Sequence, residues 1–250
     1  MDRRSQILEY VIEHERVNVN DLSEIFAVSQ VTIRKDLDAL EQKGVIERHH
    51  GFAVAIAPDN LLSRLAYHYD NKRRIAALAA CEVANGSTVM IESGSCCALL
   101  AQELAATKRG VTIITNSVFI AEYIRHVHSI STVLLGGDYQ QESQVTVGPL
   151  VETCLEGFHV EQLFIGIDGY TIDSDFTARN HLRAAVVKAM AKRADKTIVV
   201  TESLKFDRQG AVGLLPVSSV HQVITDDMMD PNMTAHLEEA GVKITRVTKS

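Results

Sequence analysis

Apolar residues near the start of the chain recur at helical spacing. Ile7, Leu8, Val11 and Ile12 stand one, three and four apart, which predicts an amphipathic helix over 3–14. Asn20 or Asp21 can cap a short second helix that buries Leu22, Ile25 and Phe26. AVSQ reads as a tight turn, with Ser29 as N-cap of a third helix over 30–43 that Gly44 ends. Ile33, Leu37 and Leu40 must face a core, which turns Gln30, Thr32, Arg34, Lys35 and Asp38 outward. The following VIERHHGFAV is β-prone with a central Gly and predicts a two-stranded wing, with Arg48, His49 and His50 at its tip or edge. Pro58, Asp59 and Asn60 then signal a turn in a mixed stretch that runs to about Lys72.

Beyond Gly86 the pattern changes to short apolar, β-branched runs at 88–92, 111–115, 131–135, 162–167, 196–201, 222–225 and 243–247, with helical patterns between. This is the βαβ rhythm of a parallel sheet covered by helices. The expected fold is α/β: a small N-terminal winged helix-turn-helix over 1–57, a linker over 58–74, and a larger α/β sensor domain over 75–250 with a mainly parallel sheet.

The chain of 250 residues is 46% hydrophobic and 23% charged, enough for one small and one medium domain and unlike a disordered chain. No apolar run reaches the roughly 18 residues of a membrane span. The start MDRRSQILEY is charged and periodic, unlike a secretory signal, so no membrane partner is expected. Cys81, Cys96, Cys97 and Cys154 form no CxxC pair, and the ten His residues show no zinc spacing. The expectation is four reduced thiols in a cytoplasmic protein with no metal and no cofactor.

The net charge of −7 argues against a nucleic-acid partner if taken for the chain as a whole. Residues 1–57 hold 7 Lys+Arg against 10 Asp+Glu, a net −3, and the remainder holds 18 against 22, a net −4. Attraction to DNA must therefore come from a local basic stripe. The third helix offers one, because Gln and Arg can bond base edges in a major groove while Lys and Thr hold phosphates. The candidates are Ser29, Gln30, Thr32, Arg34 and Lys35, with Arg48, His49 and His50 on the wing. Asp36 and Asp38 are expected to cap, or to pair with Arg34 or Lys35.

Polar turns follow the strands of the second domain: Glu92, Ser93, Gly94, Ser95, Cys96 and Cys97 after the first, Asn116 and Ser117 after the second, Gly136 and Gly137 after the third. Asp168 and Gly169 follow the fourth, and Glu202, Ser203 and Lys205 the fifth. Ligands of such sheets bind beyond the carboxyl ends of the strands, and a small-residue turn opening a helix suits an anion. Cys96 and Cys97 also admit a redox reading, since a thiol at a helix start can have a lowered pKa. Small-residue substitution in the loop is the simpler one.

The stretches RRSQILEYV and VNVNDLSEIFAVSQVTIRKDLDALEQKGVIERHHG resemble the DeoR family of bacterial repressors. The resemblance rests on Val28, Ser29, Thr32, Ile33, Arg34, Lys35, Asp36, Leu37, Leu40, Gly44, Ile46, Arg48, His50 and Gly51; Phe52 stands where the family has a second wing glycine. Residues 75–248 resemble the sensor domain of the same regulators, through Asn116, Gly136, Gly137, Asp168, Gly169, Thr177, Asn180 and Lys205. That domain is similar in fold to ribose-5-phosphate isomerase and glucosamine-6-phosphate deaminase. The resemblance implies a phosphorylated sugar or close relative as effector, with its phosphate in the 93–97 loop and Lys205 on the phosphate or a hydroxyl. Departures fall in the pocket: Glu92 for the usual Asp, Ser95, Cys96 and Cys97 for hydroxyls, Ala178 for Thr, and Arg183 for Glu.

The leading expectation is a non-enzymatic repressor of carbohydrate-metabolism genes that binds a double-stranded operator as a homo-oligomer, dimer or tetramer. Arg183 with Lys205 would suit an effector with a second anionic group; Arg183 could equally bridge subunits. The rival is an isomerase or deaminase-like enzyme fused to a DNA-binding domain, with Asp168 or Glu202 as general base. The deaminase-like Asp-Gly-His reads Asp168-Gly169-Tyr170 here, without the His.

Overall fold

The computed structural model describes residues 3–42, 44–55 and 61–247, in two compact units, Met1–Asp70 and Asn71–Ser250. In the first, the helices are α1 (Arg3–His14), α2 (Val19–Ile25) and α3 (Gln30–Gln42), and the strands are β1 (Arg16–Asn18), β2 (Ile46–His49) and β3 (Phe52–Ala55). Ile7, Leu8 and Val11 of α1, Leu22 of α2, and Ile33, Leu37 and Leu40 of α3 close one core with Val17, Ile46 and Ala53. The α2 cap is Asn18, whose side chain accepts from Asn20 N at 2.8 Å, not Asn20 or Asp21. The earlier start re-phases the helix: Val19 and Leu22 are buried and Ile25 turns out, 48% exposed. Thr32 N donates to Ser29 Oγ at 3.2 Å, so Ser29 closes the first turn of α3.

The wing has three antiparallel strands in the order β1-β3-β2. His49 pairs with Phe52 across a two-residue turn, His50-Gly51, at φ 42° and 86°. Two positive φ values mark a type I′ turn, which matches strand twist and favours Gly. Phe52 lies on an extended strand opposite Asn18, and the Arg16 guanidinium covers its ring at 4.0 Å. No glycine is needed there.

The turn expected at Pro58, Asp59 and Asn60 lies outside the described residues. The stretch expected to be a linker is helical where it is described: α4 (Leu61–Ala66), then α5 (Tyr69–Cys81). Leu62 and Ala66 pack on the first core, and Ser63 Oγ donates to Val45 O at 3.0 Å. The apolar spacing of LLSRLA makes α4 part of the first unit.

In the second unit, β4 (Thr88–Ile91), α6 (Ser95–Thr107), β5 (Val111–Thr115), α7 (Val118–Tyr123) and β6 (Ile130–Leu134) lead into a hairpin of β7 (Asp138–Gln140) and β8 (Val145–Val147). Next come α8 (Pro149–Leu155), β9 (Val160–Ile165), β10 (Gly169–Thr171), β11 (Asp175–Ala178), α9 (His181–Ala191) and β12 (Ala194–Val200). The chain closes with β13 (Val212–Leu215), β14 (Gln222–Thr225), α10 (Pro231–Glu239) and β15 (Lys243–Arg246). Seven strands form one sheet in the order β15-β14-β12-β9-β4-β5-β6, and every neighbouring pair is parallel. These are the seven runs expected from the sequence. The chain winds outward from β4 through β5 to β6, then restarts at β9 on the other side of β4. The β4/β9 seam is thus the topological switch point, where crevices open at the carboxyl ends of such sheets. The β7–β8 hairpin and a second sheet, β10-β11-β13, sit beside the main one.

Candidate DNA-reading face and ligand crevice

The outward strip of α3 carries Arg34 and Lys35, both exposed, with Gln30 exposed at its start. Thr32 is half-buried, and its hydroxyl lies 2.9 Å from Ser29 Oγ. Between the basic residues sits Val31, 64% exposed, which helical periodicity alone does not single out. An apolar side chain at that height in a major groove can meet a thymine methyl.

Asp36 and Asp38 of α3 both pair differently from expectation. Asp36 is only 3% exposed; Arg3 Nε and Arg4 Nε donate to its two oxygens at 2.7 and 2.9 Å. Asp38 pairs with Arg48, whose backbone N also donates to Glu41 Oε1 at 3.1 Å. Arg48 thereby ties the wing to α3. His49 Nε2 lies 2.9 Å from Glu47 Oε2, and His50 is exposed in the wing turn.

In the second unit Glu92 to Cys97, all buried, occupy the turn from β4 into α6. Gly94 is the N-cap at φ 131°, a backbone only glycine adopts freely, and no side chain caps the helix. Glu92 spans the seam: Oε1 accepts from Ser93 Oγ at 2.5 Å and Oε2 from Gly166 N at 3.4 Å. Cys97 Sγ lies 4.0 Å from Phe164 O on β9. None of the four cysteines is disulfide-bonded.

After β5, Asn116 is 1% exposed. Its Nδ2 donates to Thr146 O at 2.9 Å, while its buried Oδ1 has no partner among the described residues. Ser117 caps α7, accepting from Ile120 N at 3.2 Å. Asp168 follows β9 and accepts from Arg179 N at 2.9 Å. Asn180 caps α9 through Leu182 N and Arg183 N. Because α9 leads into a parallel strand, its first turn, with Arg183 only 9% exposed, stands at the carboxyl edge. Lys205, half-buried, lies in the turn after β12.

Other predicted ligand residues have structural duties. A Cβ on Gly137 would come within 2.6 Å of Val147 O, and one on Gly169 within 2.2 Å of Arg208 O. Gly136 has only ordinary contacts. Thr177, on β11, donates to Gly169 O at 3.0 Å and accepts from Gly210 N at 2.8 Å. The structure thus gathers 92–97, 116–117, 168 and 205 along the ends of four adjacent strands, while Gly137, Gly169 and Thr177 serve close backbone contacts and hydrogen bonds.

A second polar cluster at this edge was not expected from the sequence. Lys72, 4% exposed, has its Nζ 3.3 Å from Glu202 Oε2. Asn71 Nδ2 donates to Asp226 Oδ2 at 2.9 Å and to Glu202 Oε1 at 3.4 Å, and Ser203 N donates to Asp226 Oδ2 at 3.0 Å. Burial pushes the Asp226 carboxyl up, but the bonds from Ser203 and Asn71 outweigh it and hold the pKa below the ordinary value. The signal was present: Lys72, Ile75, Ala76 and Ala79 stand at i, i+3, i+4 and i+7, on one helix face.

A winged helix-turn-helix in one chain with a doubly wound α/β domain is the architecture of a DNA-binding transcriptional regulator. The chain belongs to the DeoR family of such regulators. The model of the DeoR-like helix-turn-helix domain matches residues 3–59, and that of the DeoR C terminal sensor domain matches 67–227. The chain is 30% identical to the uncharacterized HTH-type transcriptional regulator YulB of Bacillus subtilis over 100% of its length and 97% of the relative's. It is 28% identical to a putative aga operon transcriptional repressor of Escherichia coli O157:H7, over 97% of this chain and 92% of that one. Among solved structures it is similar to ribose 5-phosphate isomerase A of Methanocaldococcus jannaschii, with TM-score 0.41 and 18% identity over 56% of this chain and 55% of that one.

Proposed function

We propose that this regulator is a repressor of carbohydrate-metabolism genes that grips a double-stranded operator through α3 and the wing, as a homo-oligomer, and releases it when a phosphorylated sugar or related anionic metabolite enters the β4/β9 crevice. The carrying observation is the switch-point turn, Glu92 to Cys97, opening an uncapped helix whose first N–H groups suit an anion. Glu92 and the buried Asn116 Oδ1 offer acceptors for sugar hydroxyls. A relative named as a putative aga operon transcriptional repressor supports the repressor role.

The enzyme reading has less support. Tyr170, where a deaminase-like sequence has His, is fully buried among Phe176 and Phe206. Burial and then the charge of Asp175 push its hydroxyl up to about 12, unsuited to proton transfer near neutrality. Glu202 is occupied by Lys72 and Asn71.

The test has two stages. A preferred duplex is selected from a random pool, and its affinity is measured with and without a panel of sugar phosphates; light scattering gives the oligomeric state. A member of the panel that raises the melting temperature should also weaken duplex binding. Stabilisation without any change in affinity would leave the crevice uncoupled from DNA and sink the reading, and turnover of a panel member would favour the enzyme.

A further inference from the structure

The first domain is acidic overall, so its grip on a polyanion needs a local source of positive charge. The ion pairs of α3 supply one. A buried carboxylate that holds one cation cancels it; Asp36 holds two. Arg3 and Arg4 converge on its two oxygens, and the trio carries a net charge of +1. Both arginine side chains stay open to solvent, 43% and 49% exposed, against 5% for Asp36. Of the five donors in each guanidinium fork, only Nε–H is engaged with Asp36. A tight Arg–carboxylate pair engages two donors of the fork. Here the Nη groups of both forks have no partner among the described residues.

Placement matters as much as charge. Asp36 follows Thr32 by one helical turn, so the two share a strip of α3 that borders the outward face of Val31, Arg34 and Lys35. A sugar-phosphate backbone runs alongside a helix seated in the major groove. Together with Arg34 and Lys35, the two arginines concentrate cations around the first half of α3, although the domain's sum is −3 over residues 1–57.

We infer that Arg3 and Arg4 form a two-guanidinium clamp for the phosphodiester backbone of double-stranded DNA, anchored on the buried Asp36. The inference rests on the DNA-binding reading of α3. The clamp reads no base; it supplies sequence-independent affinity and sets how close α3 approaches the duplex.

The full chain is titrated with a short random-sequence duplex, and with the selected duplex, across a series of potassium chloride concentrations. Each phosphate that the protein ceases to neutralise lowers the slope of log K against log salt by about 0.9. Arg3→Gln and Arg4→Gln should each flatten the slope by about that amount and the double variant by about twice it, with equal fold losses on both duplexes. Arg3→Lys and Arg4→Lys should keep the slope, since a point charge still holds a phosphate. Thermal melts accompany every variant, and the single Gln variants leave one guanidinium on Asp36 to hold α1 against α3. Weaker binding with an unchanged slope means that the arginines only position α3, and overturns the clamp; so does unchanged binding. Wild-type protein that fails to bind the random duplex at low salt overturns the DNA-binding reading along with the clamp.

Discussion

Val31 is 64% exposed between the basic residues of the reading helix, an unusual place for a branched apolar side chain. Contact with a thymine methyl gives it a purpose that can be measured. Replacing one thymine per half-site of the selected duplex by deoxyuridine should weaken wild-type binding about fourfold, the worth of one buried methyl-sized group. Val31→Ala should lose a similar factor and then be indifferent to the replacement; an equal response in both proteins would exclude the contact. Asp36 makes a prediction in pH. Burial pushes its carboxyl up, but the bonds and charges of Arg3 and Arg4 outweigh burial and hold its pKa below the ordinary value. The unfolded chain therefore takes up this proton first as the medium is acidified. The stability contributed by the ionised group is complete above about pH 3.9 and is lost as pH falls through the folded value. Asp36→Asn should melt lower at neutral pH and lose less on acidification, by calorimetry; parallel acid limbs would contradict this. At this scale the sequence was legible where a residue's role is local. Ser29 was readable as a cap because capping depends on three residues. The partners of Asp36, Asp38 and Lys72 lie far along the chain, and periodicity carries no information about them.

All seven strands of the main sheet were legible because each is a short run rich in apolar and β-branched residues; the inner strands are mostly buried, whereas the edge strands β6 and β15 are half-buried or exposed. The strands that escaped, β1, β7, β8, β10, β11 and β13, are only three or four residues long. So short a segment shows no period. The β7–β8 hairpin also changes the meaning of Gly137. Its conformation is ordinary, but its Cα lies so close to the Val147 carbonyl and the Val151 side chain that a methyl group has no room. Gly137→Ala should cost about 1–3 kcal/mol of sensor-domain stability, read by urea unfolding. Affinity for the selected duplex at room temperature should be unchanged, because the defect is steric and confined to the hairpin. Wild-type stability in the variant would show that the hairpin can yield.

For the whole molecule the class of architecture was evident from the switch between helical and strand periodicity near Gly86. The join was not, because α4 carries its apolar residues in a single turn and a half and resembles linker. The carboxyl edge of the sheet was also outlined correctly, but not what its residues do there. Arg183 is the clearest case. It sits 9% exposed in the first turn of α9, where the family has a carboxylate. If it meets a second anionic group, thermal shifts from sugar bisphosphates or phosphorylated sugar acids should exceed those from hexose monophosphates, and Arg183→Gln should erase the difference. A chain stabilised only by monophosphates would count against that role.

The position of the crevice also bears on how long the sensor survives in a cell. Strands β4 and β9 are partners at the centre of the sheet, yet everything from α6 to α8 lies between them in the chain. That pairing closes a long loop before it gains any contact energy, so it is a late and slow event in folding. If the proposed effector lodges across the ends of both strands, it acts as a clasp on the pairing most distant in sequence in the main sheet. Bound there, it would slow the opening from which a protease starts, and the ligand-bound regulator should turn over more slowly than the empty one. The molecule proposed to lift the regulator from its operator would then also set how many copies remain to rebind when the metabolite is gone.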